Sequence, residues 1–189
     1  MGTVERVTDA GRPEELRTTV HGERSVYENP WVRLMLVDIQ PPKGERFEHH
    51  VVRLQTVAMG LVHNDEDQVL MLWRHRFATD EWGWELPGGI VGKGEDPAVA
   101  AAREVEEETG WRPERMQHLI SFQPMPGMVD TPHQVFLARG AQYVGEPTDL
   151  EEAGRVDWIA LDQVPDLARK GEILGSGSLV GLLHYLVAR

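Results

Sequence analysis

Residues 88–111, GGIVGKGEDPAVAAAREVEEETGW, constrain this chain more than any other stretch. Asp96 followed by Pro97 predicts a helix start, with an N-cap and a proline in the first turn, and Gly110 predicts its stop. On a wheel of 100° per residue, Glu104, Glu107 and Glu108 share one arc of roughly 100°. Ala98, Ala101, Ala102, Val105 and Thr109 take the neighbouring arc, which is expected to pack on a core. The three carboxylates are therefore expected at the edge of the buried face, with Glu106 on the solvent side.

Like charges at such spacing cost roughly 0.2–0.5 kcal/mol per pair in an isolated helix and raise one another's pKa unless a cation compensates. Arg103 can neutralise and orient one of the glutamates. A divalent metal can serve the others. Hard oxygen donors on one ridge suit Mg2+, with Mn2+ as an alternative, since magnesium keeps several waters and completes its shell with substrate phosphates. Gly88 and Gly89 would let backbone approach the metal or a pyrophosphate closely. A merely solvated helix accounts for the run EVEEE alone. It does not account for Gly89, Glu95, Arg103, Glu104, Glu107, Glu108 and Gly110 together, a chance match on the order of one in a million from average residue usage.

The remaining chain narrows the setting. Its 189 residues suffice for one domain with a modest extension, and it contains no cysteine, so disulfides and thiolate-bound zinc are excluded. No apolar run approaches a membrane span and the N-terminus lacks the apolar run of a secretory signal, so a cytoplasmic location is expected. A net charge of −12 argues against nucleic-acid binding; it suits a polyanionic small substrate only where cations gather locally.

Residues 1–25 read as a flexible lead-in, 26–54 as a β extension and 55–189 as the main domain. Strands are expected at 32–37, 47–54, 56–62 and 69–73, then near 119–122, 134–139 and 155–160. A short helix is expected near 162–170. Leu179, Leu182, Leu183, Leu186 and Val187 recur at helical spacing and predict a terminal helix. Many strands with a helix in the middle and one at the end indicate an α+β layered domain.

The seven fixed positions spell the box of the Nudix hydrolases, G-x5-E-x7-R-E-U-x-E-E-x-G-U, with Val105 at the first aliphatic position and Trp111 in place of the last. The resemblance covers about residues 45–189. It implies an α/β/α sandwich with a mixed sheet between helices, and hydrolysis of a nucleoside diphosphate linked to another moiety. It also implies that Glu104, Glu107 and Glu108, with the Gly88 carbonyl, hold the metal, while Glu95 and Arg103 tie loop to helix.

Three features resemble the ADP-ribose pyrophosphatase branch: strands ahead of the first core hairpin, Pro126 fifteen residues past Trp111 in QPMPGMVD, and the run RHRFATDEWGWELPGG. That likeness implies a homodimer whose N-terminal strands exchange between subunits. It matches Phe47 and Glu48 to a base-stacking aromatic and its acid, and Arg76 to an arginine that meets the phosphates; Gly89 completes the expected substrate contacts. Phe47 as core, Arg76 in an ion pair, and Trp82 and Trp84 as packing residues are the plainer alternatives. The branch carries a glutamate after its proline-glycine loop, whereas this chain has Asp130-Thr131-Pro132-His133. Asp130 or His133, or else a box carboxylate, would have to act as the base. His49 and His50, adjacent on a strand, point to opposite faces and do not easily share one ion.

The expected activity is hydrolysis of ADP-ribose or a nucleotide sugar to a nucleoside monophosphate and a sugar phosphate. A nucleoside triphosphate pyrophosphohydrolase is the enzymatic alternative, and a nucleotide-sensing domain without turnover the non-enzymatic one.

Overall fold

A computed structural model describes residues 13–148 and 154–189, which divide into two compact units. The first comprises residues up to Leu54 together with Gly127–Asp130; the second comprises Gln55–Pro126 and Thr131–Arg189.

In the first unit, β1 (Thr19–Glu28), β2 (Arg33–Gln40) and β3 (Phe47–Arg53) form an antiparallel meander. The later-numbered β10 (Val129–Asp130) adds to β3 in parallel. Every residue of β1 is exposed. This strand overlaps the stretch expected to be a lead-in: it is held by its backbone ladder to β2, and its side chains carry no buried apolar alternation that would reveal it in sequence. Residues 1–12 of that lead-in lie outside the described residues. The expected turn after β2 forms, with the Gly44 N–H donating to the Pro41 carbonyl at 3.2 Å.

The second unit is built on β4 (Val57–His63), β5 (Gln68–Arg76), β6 (Glu81–Glu85), β7 (Gly88–Ile90), β9 (Gln117–Phe122), β11 (His133–Arg139) and β13 (Arg155–Ala160). The central path runs β13-β5-β4-β11-β9, with β6 on β5 and β7 on β4. Among the described strands of this sheet only β11 and β4 run parallel, so the sheet is mixed. A small ribbon pairs β8 (Trp111–Pro113) with β12 (Ala141–Tyr143).

Alternation along β4 sorts the two faces. Ala58 and Val62 pack toward α1 (Pro97–Thr109), while Leu61 joins the core under α3 (Ser176–Ala188), beside α2 (Val164–Lys170). The result is the sandwich implied by the resemblance. A Cβ on Gly60 would stand 2.3 Å from Val105 Cγ2, so glycine is what lets α1 settle onto β4. None of the described helices is long and apolar enough to cross a membrane.

Helix α1 has the bounds its caps dictate. The Ala98 N–H donates to the Asp96 carboxylate at 2.8 Å, and Gly110 closes the helix at φ 74°. Its buried face differs in one respect from the wheel: Ala100 and Glu108 are buried alongside Ala101, Val105 and Thr109. Ala100 falls within the carboxylate arc, and of the three glutamates Glu108 is buried while Glu104 and Glu107 stay half-buried at the edge of that face, as expected.

Candidate active site

Strands β4 and β5 pair only at His63 and Val69 before β4 continues with β7 and β5 with β6. The segment between β6 and β7 crosses the gap. The Pro87 carbonyl accepts from the Gly60 N–H at 2.9 Å, and the Leu86 N–H donates to Ser178 Oγ at 2.9 Å. A cavity of about 150 Å³ opens there, lined by Met59, Arg74, Arg76, Glu85, Gly88 and His133 and closed by Gly175 to Ser178. Gly177 lets the Met59 side chain lie against this wall, since a Cβ there would stand 2.1 Å from Met59 Sδ.

Two arginines on one face of β5 organise the charge. Arg74 is buried and donates from Nε to Glu85 and from Nη1 to Glu108, both at 2.7 Å. Arg76 is half-exposed and grips the same Glu85 through Nη2 at 2.7 Å and Nε at 3.0 Å. Burial alone would raise the Glu85 pKa, but hydrogen bonds from Arg76 and Arg74 outweigh it and hold the carboxyl below its ordinary value. Burial likewise opposes the charge on Arg74, and Glu108 with Glu85 more than restores it. Cations thus gather locally in an acidic chain.

On α1, Arg103 stands at the centre of the box. Its Nη1 donates to Glu104 at 2.8 Å and to Glu107 at 2.9 Å, while Nε and Nη2 reach Glu95 at 3.0 and 3.2 Å. Glu95 in turn accepts from the Gly92 N–H at 2.8 Å, so loop and helix are tied as expected. These carboxylates, Glu95 foremost, push the Arg103 pKa well above its ordinary value. A Cβ on Gly89 would stand 2.7 Å from the Glu104 carboxyl, so the glycine there makes room for Glu104.

Of the expected ligands, Glu104 and Glu107 meet at Arg103, and Glu108 meets the Gly88 N–H. Among the described residues no three His, Asp or Glu side chains cluster to hold a metal. Glu104 and Glu107 converge on Arg103, while buried Glu108 accepts from Arg74 and, through Oε2, from the Gly88 N–H at 2.8 Å. The donor chemistry nonetheless suits a hard cation at Glu104 and Glu107, two carboxylates that already share one cationic group.

The family model for the NUDIX domain matches residues 53–175. The chain belongs to the Nudix family. It is 47% identical over 171 residues to the CMP-5'-(N-acetyl-N-hydroxy-3-aminopropyl)phosphonate hydrolase of Streptomyces rubellomurinus, covering 90% of this chain and 83% of the relative. It is 32% identical over 148 residues to the ADP-ribose pyrophosphatase of Mycobacterium tuberculosis, covering 77% and 72%. A crystal structure of an ADP compounds hydrolase superposes with a TM-score of 0.78 over 91% of this chain and 94% of that one; at 16% identity this likeness shows the fold. The protein is a Nudix enzyme of the pyrophosphatase kind, related to the ADP-ribose pyrophosphatases.

The other expected residues of this Nudix chain separate between its units. Phe47 and Glu48 lie on β3 of the first unit, Phe47 48% exposed and Glu48 paired with Arg24 at 3.0 Å. Asp130 also belongs there, on β10, with Arg53 3.4 Å away. Arg76 and His133 line the cavity of the second unit. Thr131, at the position of the absent glutamate, is buried and donates its hydroxyl to the Gln55 carbonyl at 3.1 Å. Trp84 is core against Trp73, whereas Trp82 is exposed and leans on His75 with the rings tilted by 36°. His49 donates to the Gly127 carbonyl at 2.9 Å.

Arg74 and Glu85 escaped the sequence reading. Glu85 sits directly before Leu86-Pro87-Gly88 and Arg74 two residues before Arg76, so a strand alternation placing Arg74 and Arg76 on one face was the available signal.

Proposed function

We propose that this Nudix enzyme hydrolyses the phosphoric anhydride of a nucleoside diphosphate linked to a second moiety, ADP-ribose or a nucleotide sugar, with Mg2+ as cofactor. The observation that carries the reading is the box itself: Glu104 and Glu107 converge on one cationic group while Arg74 and Gly88 fix Glu108 beside a cationic cavity. In this reading Glu104 and Glu107, with the Gly88 carbonyl, hold the metal, and Glu108 contributes through its fixed position. A metal held there would polarise the phosphoryl oxygens and lower the pKa of a bound water. Arg76 grips a phosphate, for which its planar fork is suited. Gly89 keeps Glu104 close to the β7 backbone. Phe47 supplies a face for the base, worth roughly 1–3 kcal/mol by stacking, and the N-terminal strands exchange within a homodimer.

The relative at 47% identity favours a second reading, in which the nucleotide is CMP joined to a phosphonate. One panel tests both: ADP-ribose, nucleotide sugars, a CMP-linked phosphonate, dinucleotides and triphosphates, each with Mg2+, followed by nucleoside monophosphate release. Turnover of a diphosphate-linked compound supports the proposal. Turnover of triphosphates alone assigns the pyrophosphohydrolase activity instead, and no turnover on any member removes the proposed substrate class.

A further inference from the structure

Hydrolysis of an anhydride by water requires that the attacking water lose a proton, and a base must stand where that proton is released. The cavity offers few groups for the task. Its charged or titratable lining consists of Arg74, Arg76, Glu85 and His133. The arginines have no lone pair to offer. Glu85 is covered by both arginines, which hold it ionised and weakly basic.

His133 differs. Its Nδ1–H donates to the Thr131 carbonyl at 2.8 Å, which fixes the tautomer and leaves Nε2 with its lone pair. Among the described residues Nε2 has no protein partner, yet it is not one of the buried unsatisfied atoms, so it meets solvent-accessible space. The residue is held firmly there. It opens β11, in register with Val57 of β4 on one side and Phe122 of β9 on the other. The neighbouring Pro132 carbonyl accepts from the Val57 N–H at 2.9 Å. The ring packs 5.5 Å from Phe122, and a Cβ on Gly177 would come within 3.7 Å of its Cδ2. The alternatives after the proline-glycine loop are engaged elsewhere, Thr131 with Gln55 and Asp130 with Arg53.

Building on the anhydride-hydrolase reading, we infer that His133 is the proton acceptor for the attacking water in this cavity. Water passes a proton to Nε2 as its oxygen bonds to phosphorus. The bridging P–O bond breaks, and its electron pair leaves with the departing phosphate. The imidazolium then returns the proton to solvent.

The test measures kcat and KM against pH on the full-length protein, with ADP-ribose and the CMP-linked phosphonate as probes, for the wild type, His133→Gln and His133→Ala. His133→Gln is expected to lower kcat by about 10²–10⁴-fold, to leave KM within about threefold, and to abolish the acidic limb of the kcat profile. Imidazole added to His133→Ala restores part of the rate. Thermal melting separates this from loss of fold: a variant that melts like the wild type and loses kcat supports the inference. Near-normal kcat in His133→Gln, or a lowered kcat with the acidic limb intact and no rescue, overturns it while leaving the hydrolase reading in place. A wild type inactive on every panel member removes the inference together with the proposed substrate class.

Discussion

Arg74 and Glu108 face each other at 2.7 Å across 34 residues of chain, with side chains only 4% and 1% exposed. This pair joins β5, whose Arg74 lines the cavity, to the carboxylate helix. Two opposite charges withdrawn so fully from water depend on one another, and Glu108 also depends on the Gly88 N–H.

Arg74→Met should therefore destabilise the protein by about 3–5 kcal/mol, because it strands a buried carboxylate. Arg74→Met combined with Glu108→Gln should recover part of that loss. Urea unfolding of the single and double variants measures both, and a single variant as stable as the wild type would show that the pair is not coupled.

Gly60 is a packing requirement. A Cβ there would stand 2.3 Å from buried Val105 Cγ2 and 3.0 Å from half-buried Met116 Cε. Gly60→Ala is expected to cost about 1–3 kcal/mol by overpacking. Adding Val105→Ala should relieve the clash, so the double variant should melt above the sum of the two separate losses.

Glu85 carries the pH dependence. Its folded pKa lies below the ordinary 4.5, so the stability it contributes is present above that value and is lost as pH falls through the lower, folded one. The stability difference between the wild type and Glu85→Gln should be large at neutral pH and shrink below pH 4.5. Denaturant unfolding at a series of pH values reads this directly; a difference that grows on acidification would reverse the assigned sign.

Much of this architecture is legible in the sequence. Asp96, Pro97 and Gly110 marked α1 because capping is local chemistry, and the glutamate spacing marked its functional face. Apolar strands buried on both faces, such as β4 and β11, are equally plain. The elements that escaped are those whose reasons are not local. β1 is wholly exposed, and β6 and β7 are short segments stabilised by pairing with β5 and β4. The partnership of Arg74 with Glu108 is a tertiary contact that no helical or strand period encodes. The same holds for Asp130, whose sequence position near the proline-glycine loop gave no hint of Arg53.

The central claim is that the box carboxylates drive anhydride cleavage, and Glu107 tests it with least ambiguity: its side chain is 42% exposed and its partner Arg103 retains Glu95 and Glu104. The decisive measurement is the rate of nucleoside monophosphate release from the preferred panel substrate, by wild type and Glu107→Gln, as Mg2+ is titrated from a chelated start. The account predicts no wild-type rate without divalent metal, and a loss of at least about a hundredfold in the folded variant at saturating Mg2+. A near-normal rate in Glu107→Gln, or a wild-type rate indifferent to chelation, would contradict it.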